Sequence, residues 1–334
     1  MTSVGAFAAP AAKESLVSYS YDPAPLGPRD VEIEISHCGI CHSDLHLIDN
    51  DWATSSYPLV PGHEIVGTVS AVGAACELAL GQRVGVGWQR SACHKCELCR
   101  AGHENLCPEQ EATCVGNMGG FAERIRTDER FAFALPSQLD AAATAPLLCG
   151  GVTVFAPLRR WGIRSGATVG VIGIGGLGHL ALRFLRAMGC RATAFTSSPD
   201  KRAEAARLGA EDAVSSTNAR EIRAQANRFD FLLCTVPARL DWITFVQTLK
   251  PNGVLCLVGA PPGLLQISAG PLLSGQRVIC GSDIGSPAAI REMLTFAAEN
   301  GIGAEVETSP MADVNSAIVR VRENRVRYRM VLTN

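Results

Sequence analysis

No stretch of this 334-residue chain approaches the run of about 18 consecutive apolar residues that reads as a membrane span. Residues 1–10 are apolar but lack a basic leader and a long enough hydrophobic segment for secretion. Thirty Lys and Arg stand against 32 Asp and Glu, for a net charge of -2, and form no dense basic block. That excludes nucleic acid or an anionic membrane as the main partner. The 13 cysteines are odd in number and fall as one tight cluster plus scattered singles, so a disulfide framework is absent as well. Thiols and metal ligands in a reducing cytoplasm are the expectation.

With 47% hydrophobic and 19% charged residues, the chain reads as an ordinary globular protein with room for two domains. No internal repeat or low-complexity tract interrupts it. Up to about residue 150 the texture is mainly β. Val31-Glu32-Ile33-Glu34-Ile35 alternates as a half-buried strand should, and residues 64–72 and 83–86 are further strand candidates. Beyond Pro146, short apolar runs at 168–172, 190–195, 229–235 and 254–258 alternate with helical patterns, and 278–280 reads as a last edge strand. That alternation predicts an α/β domain with a parallel, doubly wound sheet. After Gly285 come a helix to about Asn300, a strand near 305–308, a helix near 311–322 and a strand at 328–332. This tail is too short to stand alone.

Cys93, Cys96, Cys99 and Cys107 follow the spacing Cys-x2-Cys-x2-Cys-x7-Cys in a short polar loop. Four thiolates make a closed tetrahedral zinc site, which holds shape and leaves no open position for substrate. Chemistry must therefore lie elsewhere. Gly173-Ile174-Gly175-Gly176-Leu177-Gly178 fits G-x-G-x-x-G between a buried strand and a helix, the setting of a dinucleotide fingerprint. About twenty residues on, where an acidic residue would hold the ribose of NAD, the strand tip carries Ser197 and Ser198, with Lys201 and Arg202 one turn into the next helix. Hydroxyls and a cation suit a 2′-phosphate, so NADP(H) is expected; Asp200 reads as a first-turn helix residue.

A second metal signal is dispersed. Cys41, His63 beside Glu64, and Cys149 offer two thiols and an imidazole, the ligand types of a catalytic zinc. Spacing alone does not single them out. In their order, however, Cys38-Gly39-Ile40-Cys41-His42-Ser43-Asp44-Leu45, Tyr57-Pro58-Leu59-Val60-Pro61-Gly62-His63-Glu64, the four-cysteine loop, Cys149-Gly150-Gly151-Val152-Thr153, the glycine fingerprint and the closing Arg327-Tyr328-Arg329 are similar to zinc-containing medium-chain alcohol dehydrogenases. The chain most resembles their cinnamyl-alcohol-dehydrogenase branch, and especially the bacterial broad-range NADPH-dependent aldehyde reductases. The resemblance spans essentially the whole chain.

It implies a GroES-like catalytic domain over 1–152, a Rossmann domain over 153–284, and a return segment over 285–334 on the catalytic domain. Cys41, His63 and Cys149 would hold a catalytic zinc, with Glu64 as an exchanging carboxylate and Asp44 orienting the histidine. Ser43 would meet the substrate oxygen, and His46 would end the proton relay. Thr153 and Leu177 would flank the nicotinamide; His42 and Arg329 would lie near the pyrophosphate. Trp52, Trp88 and Met118 are candidate pocket walls. The implied reaction is interconversion of small aldehydes and primary alcohols with NADP(H), two zinc ions per chain, in a dimer or tetramer built on the edge strand near 278–280. Rival readings are a zinc-free quinone or enone reductase of the same superfamily and a non-catalytic zinc-binding interaction module.

Overall fold

The computed structural model describes residues 3–334; Met1 and Thr2, which open the first expected domain, lie outside the described residues. The chain divides into two compact units, Met1–Cys149 with Gly285–Asn334, and Gly150–Ile284. The boundary thus falls after Cys149 and not after residue 152.

The first unit is built on a β-sheet whose strands run, side by side, Val306–Pro310, Arg329–Thr333, Asp30–Ile40, Ile65–Val72, Arg83–Val86 and Ala132–Ala134, with Arg124–Asp128 also paired to Asp30–Ile40. In that long strand Val31, Ile33 and Ile35 are buried and Glu34 is exposed, as the alternation predicts. Glu32 departs from it. Its carboxylate is buried because Arg124 and Arg126 reach across from the neighbouring strand and pair with it. A hairpin of Val4–Ala8 and Val17–Tyr21 was not legible in the apolar opening.

The tail joins this unit through pattern and register. In helix Val314–Arg322 the buried residues Val314, Ala317, Ile318 and Val321 follow the i, i+3, i+4, i+7 stripe of an amphipathic helix. The closing strand pairs antiparallel with Asp30–Ile40, Met330 opposite Ile40. One residue further on, this register carries Arg329 toward Cys41.

The second unit is a six-stranded parallel sheet of Thr168–Ile172, Arg191–Thr196, Asp212–Ser215, Phe229–Cys234, Leu249–Leu257 and Val278–Gly281. Numbered along the chain, they lie in the order third, second, first, fourth, fifth, sixth. The winding reverses between the first and fourth strands, where open α/β sheets bind ligands at their carboxyl ends. The short strand Asp212–Ser215 escaped sequence reading because its half-exposed, partly charged pattern is that of a loop.

Candidate active site

Three elements of the first unit converge on one buried point. Cys41 follows the long strand Asp30–Ile40 and caps helix His42–Asp49. His63 and Glu64 enter strand Ile65–Val72, which pairs antiparallel with the Cys41 strand. Cys149 follows the short helical turn Ala145–Leu148. One ligand atom from each of Cys41, His63, Glu64 and Cys149 lies within 4.8 Å of the others.

Asp44, with no exposed surface, ties the group together. Its Oδ2 accepts the Cys41 backbone N–H at 2.8 Å; its Oδ1 lies 2.9 Å from both the Gly62 nitrogen and His63 Nδ1. Because Nδ1 donates to Asp44, the His63 lone pair is left on Nε2. That atom is buried and has no hydrogen-bond partner among the described residues. An orphaned imidazole nitrogen beside two thiols is a donor set that fits zinc with one position left open. The thiols are already unequal. Cys41, accepting from Cys149 and next to His63 and Arg329, is held well below the ordinary thiol range, while Cys149 is pushed well above it.

Glu64 is more constrained than the sequence suggested. Burial pushes its carboxyl up to about 7 although the guanidinium of Arg329 pairs with Oε1; Oε2 has no hydrogen-bond partner among the described residues. Gly39 permits this packing, since a Cβ there would lie 2.1 Å from Oε2. Arg329, expected beside a pyrophosphate, is buried and bound to Glu64, because the closing strand begins next to Cys41.

Aromatic rings lead outward from His63. Trp88 stands edge-on to the imidazole at 4.9 Å, Trp52 meets Trp88 at 6.2 Å, and His46 lies 5.2 Å from Trp52. His46 Nδ1 is 2.7 Å from Asp51. Ser43 is half-buried and His42 exposed on the same helix. Met118 instead lines a cavity of about 280 Å³ with Tyr21, Glu32, Arg90, Arg124 and Arg126. Sequence reasoning missed Cys114, fully buried, whose Sγ lies 3.9 Å from His63 Nδ1. A lone buried cysteine carries no signal of such a contact.

In the four-cysteine loop the sulfur separations are 3.5 Å for Cys93–Cys107 and 3.9 Å for Cys93–Cys99 and Cys96–Cys107. Four sulfurs about 2.3 Å from one zinc would stand about 3.8 Å apart, so the cage has the size of the ion. None is in a disulfide. The backbone N–H groups of Lys95 and Cys96 hold the Cys93 thiol down at about 6.

In the second unit the fingerprint glycines play different parts. Gly173 has φ +93°, and a Cβ there would lie 2.0 Å from Val236; a Cβ on Gly178 would lie 1.9 Å from the Gly173 carbonyl oxygen. The fold itself demands both. A Cβ on Gly175 would meet nothing within 4 Å among the described residues. Its backbone faces open space, as a pyrophosphate cradle requires. Gly176 and Leu177 complete the turn, and Leu177 caps helix Gly178–Ala187. Thr235, also missed, fastens the turn by donating from Oγ1 toward the carbonyls of Ile172 and Gly173.

Thr153 is half-buried on helix Gly150–Arg160. At the tip of the second strand Ser197 is exposed, and Ser198 caps helix Pro199–Leu208 by accepting from the Lys201 nitrogen. Asp200 falls in that helix's first turn. Lys201 does not project as a free cation would. It is buried on the helix stripe it shares with Ala205 and Leu208, and Arg202 pairs with Glu221 at 3.2 Å.

Comparison with known proteins bears on both units. Residues 27–137 match the model of the alcohol dehydrogenase GroES-like domain, and residues 176–299 that of the zinc-binding dehydrogenases. An aldehyde reductase from Synechocystis sp. is 44% identical over 332 residues, covering 99% of each chain. An aldehyde reductase from Escherichia coli is 42% identical, covering 99% of this chain and 97% of that protein. A cinnamyl alcohol dehydrogenase from Sorghum bicolor superposes with a TM-score of 0.96 at 38% identity, covering 99% of this chain and 98% of that one. A CAD from Helicobacter pylori complexed with NADP(H) gives 0.92 at 30% identity, with the same coverage.

Proposed function

The chain belongs to the zinc-binding alcohol dehydrogenases with a GroES-like domain, and from that premise we propose how its own residues serve the reaction. It is an oxidoreductase that interconverts aldehydes and alcohols with zinc and NADP(H). The observation that carries the residue assignment is the buried set of Cys41, His63 and Cys149 with His63 Nε2 left open.

When bound, zinc supplies a Lewis acid toward the carbonyl oxygen and NADPH supplies the hydride. The rest falls to the protein. Asp44 locks the His63 tautomer and, through the Cys41 and Gly62 amides, the backbone that presents the thiols. Arg329 holds Glu64 beside the metal position with one carboxylate oxygen unclaimed, ready to compete for that position as substrate leaves. In reduction His46, steadied by Asp51, takes up a proton from solvent and Ser43 delivers it to the substrate oxygen; in oxidation the proton leaves by the same route. Trp88 and Trp52 wall the approach and favour substrates with an apolar or aromatic body. Gly175 admits the pyrophosphate, and the exposed Ser197 with its neighbours serves the 2′-phosphate.

NADPH oxidation over aldehydes of graded length and aromaticity tests this reading; faster turnover with NADH would reject the cofactor assignment. About two zinc per chain distinguishes it from a zinc-free quinone or enone reductase, which would carry none. No single helix among the described residues is long and apolar enough to cross a membrane. We propose further that the sheet edge Val278–Gly281, which has one paired neighbour, joins a second copy across a two-fold axis. Exposed Leu264, Leu273 and Val278 precede or open that strand. A monomer by light scattering would defeat this assembly.

A further inference from the structure

Two cysteines used by neither metal site face each other at the outer edge of the second unit. Strands Leu249–Leu257 and Val278–Gly281 run parallel with Cys256 opposite Cys280. In-register residues on neighbouring strands point to the same face and stand about 4.7–4.9 Å apart, inside the span of about 4.4–6.8 Å that a disulfide bridges between Cα atoms. Cys256 is fully buried and Cys280 half-buried. The Cys256 thiol is pushed up by burial and by Cys280, while Arg160, the last residue of helix Gly150–Arg160, acts in the opposite sense. Cys234 does not belong to the pair. It stands in register with Leu257, one residue on, and so points to the other face, where it packs in an apolar cluster with Leu232 and Leu255.

We propose that Cys280 and Cys256 form a peroxide-reactive dithiol, a modification site that closes to a disulfide across the two outermost strands. Cys280, the half-buried member, attacks a hydroperoxide oxygen as thiolate. The O–O bond breaks, the departing oxygen leaves as water or alcohol, and Cys280 becomes a sulfenic acid. The Cys256 sulfur then attacks the Cys280 sulfur, its proton leaves with the hydroxyl as water, and the S–S bond forms. Two thiols are oxidised by two electrons and one peroxide is reduced by two. An in-register parallel pair must draw its Cβ atoms closer than strand spacing sets them. That strain makes the bond readily reducible. While it lasts, the bond ties the edge strand covalently to its neighbour in the sheet. The inference does not depend on the aldehyde-reductase reading.

Tryptic mapping tests it on the zinc-loaded protein treated with hydrogen peroxide, with remaining thiols alkylated and the digest kept non-reducing. Peptide 240–277 contains Cys256 as its sole cysteine, and peptide 278–291 contains Cys280 as its sole cysteine. The expected result is these two peptides joined, separating on addition of a thiol reductant. The joined species should vanish in Cys280→Ser and persist in Cys234→Ser. Recovery of both peptides alkylated, or of Cys280 as sulfinic acid beside alkylated Cys256, would overturn the proposal. So would joining of 278–291 to the peptide that carries Cys234.

Discussion

Replacing Asp44 by Asn changes one atom and one charge at the centre of the buried site. The carboxylate serves three donors, the Cys41 amide at 2.8 Å and the Gly62 amide and His63 Nδ1 at 2.9 Å. An asparagine amide has one accepting oxygen, so in either orientation its NH2 faces a donor that the carboxylate served. If the oxygen replaces Oδ1, Cys41 loses its acceptor; if it replaces Oδ2, Gly62 and His63 do. At least one buried donor is orphaned, at about 1–3 kcal/mol. The imidazole also loses the negative charge that fixes its tautomer and raises its basicity. Losing such a partner typically weakens a metal site about 10–100-fold, or about 1.4–2.7 kcal/mol. Competition for zinc with a chromophoric chelator reads this directly, and the four-cysteine cage provides an internal reference. The variant should give up one of two zinc ions at lower chelator concentration, keep the other, and melt at lower temperature. Two ions held with wild-type affinity and an unchanged melting temperature would refute the reasoning.

Gly175→Ala should leave stability within about 0.5 kcal/mol of wild type, since the new Cβ meets nothing within 4 Å among the described residues, yet weaken NADPH binding measured by fluorescence titration. Unimpaired binding would mean that the pyrophosphate does not rest there. Cys96→Ser should release the cage zinc and lower the melting temperature, because that metal organises the loop; an unchanged melting curve would contradict this. Asp230 accepts from the Thr168 amide and from Lys250, both at 2.8 Å; burial raises its carboxyl, but these partners outweigh it and hold the group below its ordinary value. A depressed carboxylate stabilises above its unfolded value and loses that contribution as pH falls through its folded value. The pair is partly exposed, so Asp230→Asn should cost only about 0.2–1 kcal/mol at neutral pH, with the difference closing below about pH 4 in denaturant titrations. A difference that grew on acidification would reverse the sign and reject the assignment.

Local signals carried far in this chain, and long-range pairing did not. The four-cysteine loop is legible because its ligands lie within one short segment. The glycine fingerprint is legible because a buried strand and a helix flank it. Cys41, His63 and Cys149 are separated by tens of residues, and only the likeness to a known family joined them before the fold did. Arg329 is further still from Glu64. Its pairing depends on the register between the last strand and Asp30–Ile40, which no local pattern encodes. The same limit hid the Cys114 contact, where residue type alone suggests packing. At Lys201 sequence and structure supply different information: a cation one turn into a helix suggests a phosphate partner, while only the fold shows that it is buried on the stripe it shares with Ala205 and Leu208.

The central claim is that folding brings Cys41, His63 and Cys149 together around one zinc ion. Anomalous diffraction from a crystal of the zinc-loaded protein, recorded on either side of the zinc absorption edge, tests it most directly. The account predicts two peaks per chain, one inside the four-cysteine cage and one about 2.3 Å from the sulfurs of Cys41 and Cys149 and about 2.0–2.1 Å from His63 Nε2. A single peak confined to the cage, in a crystal that turns over NADPH and aldehyde, would contradict it.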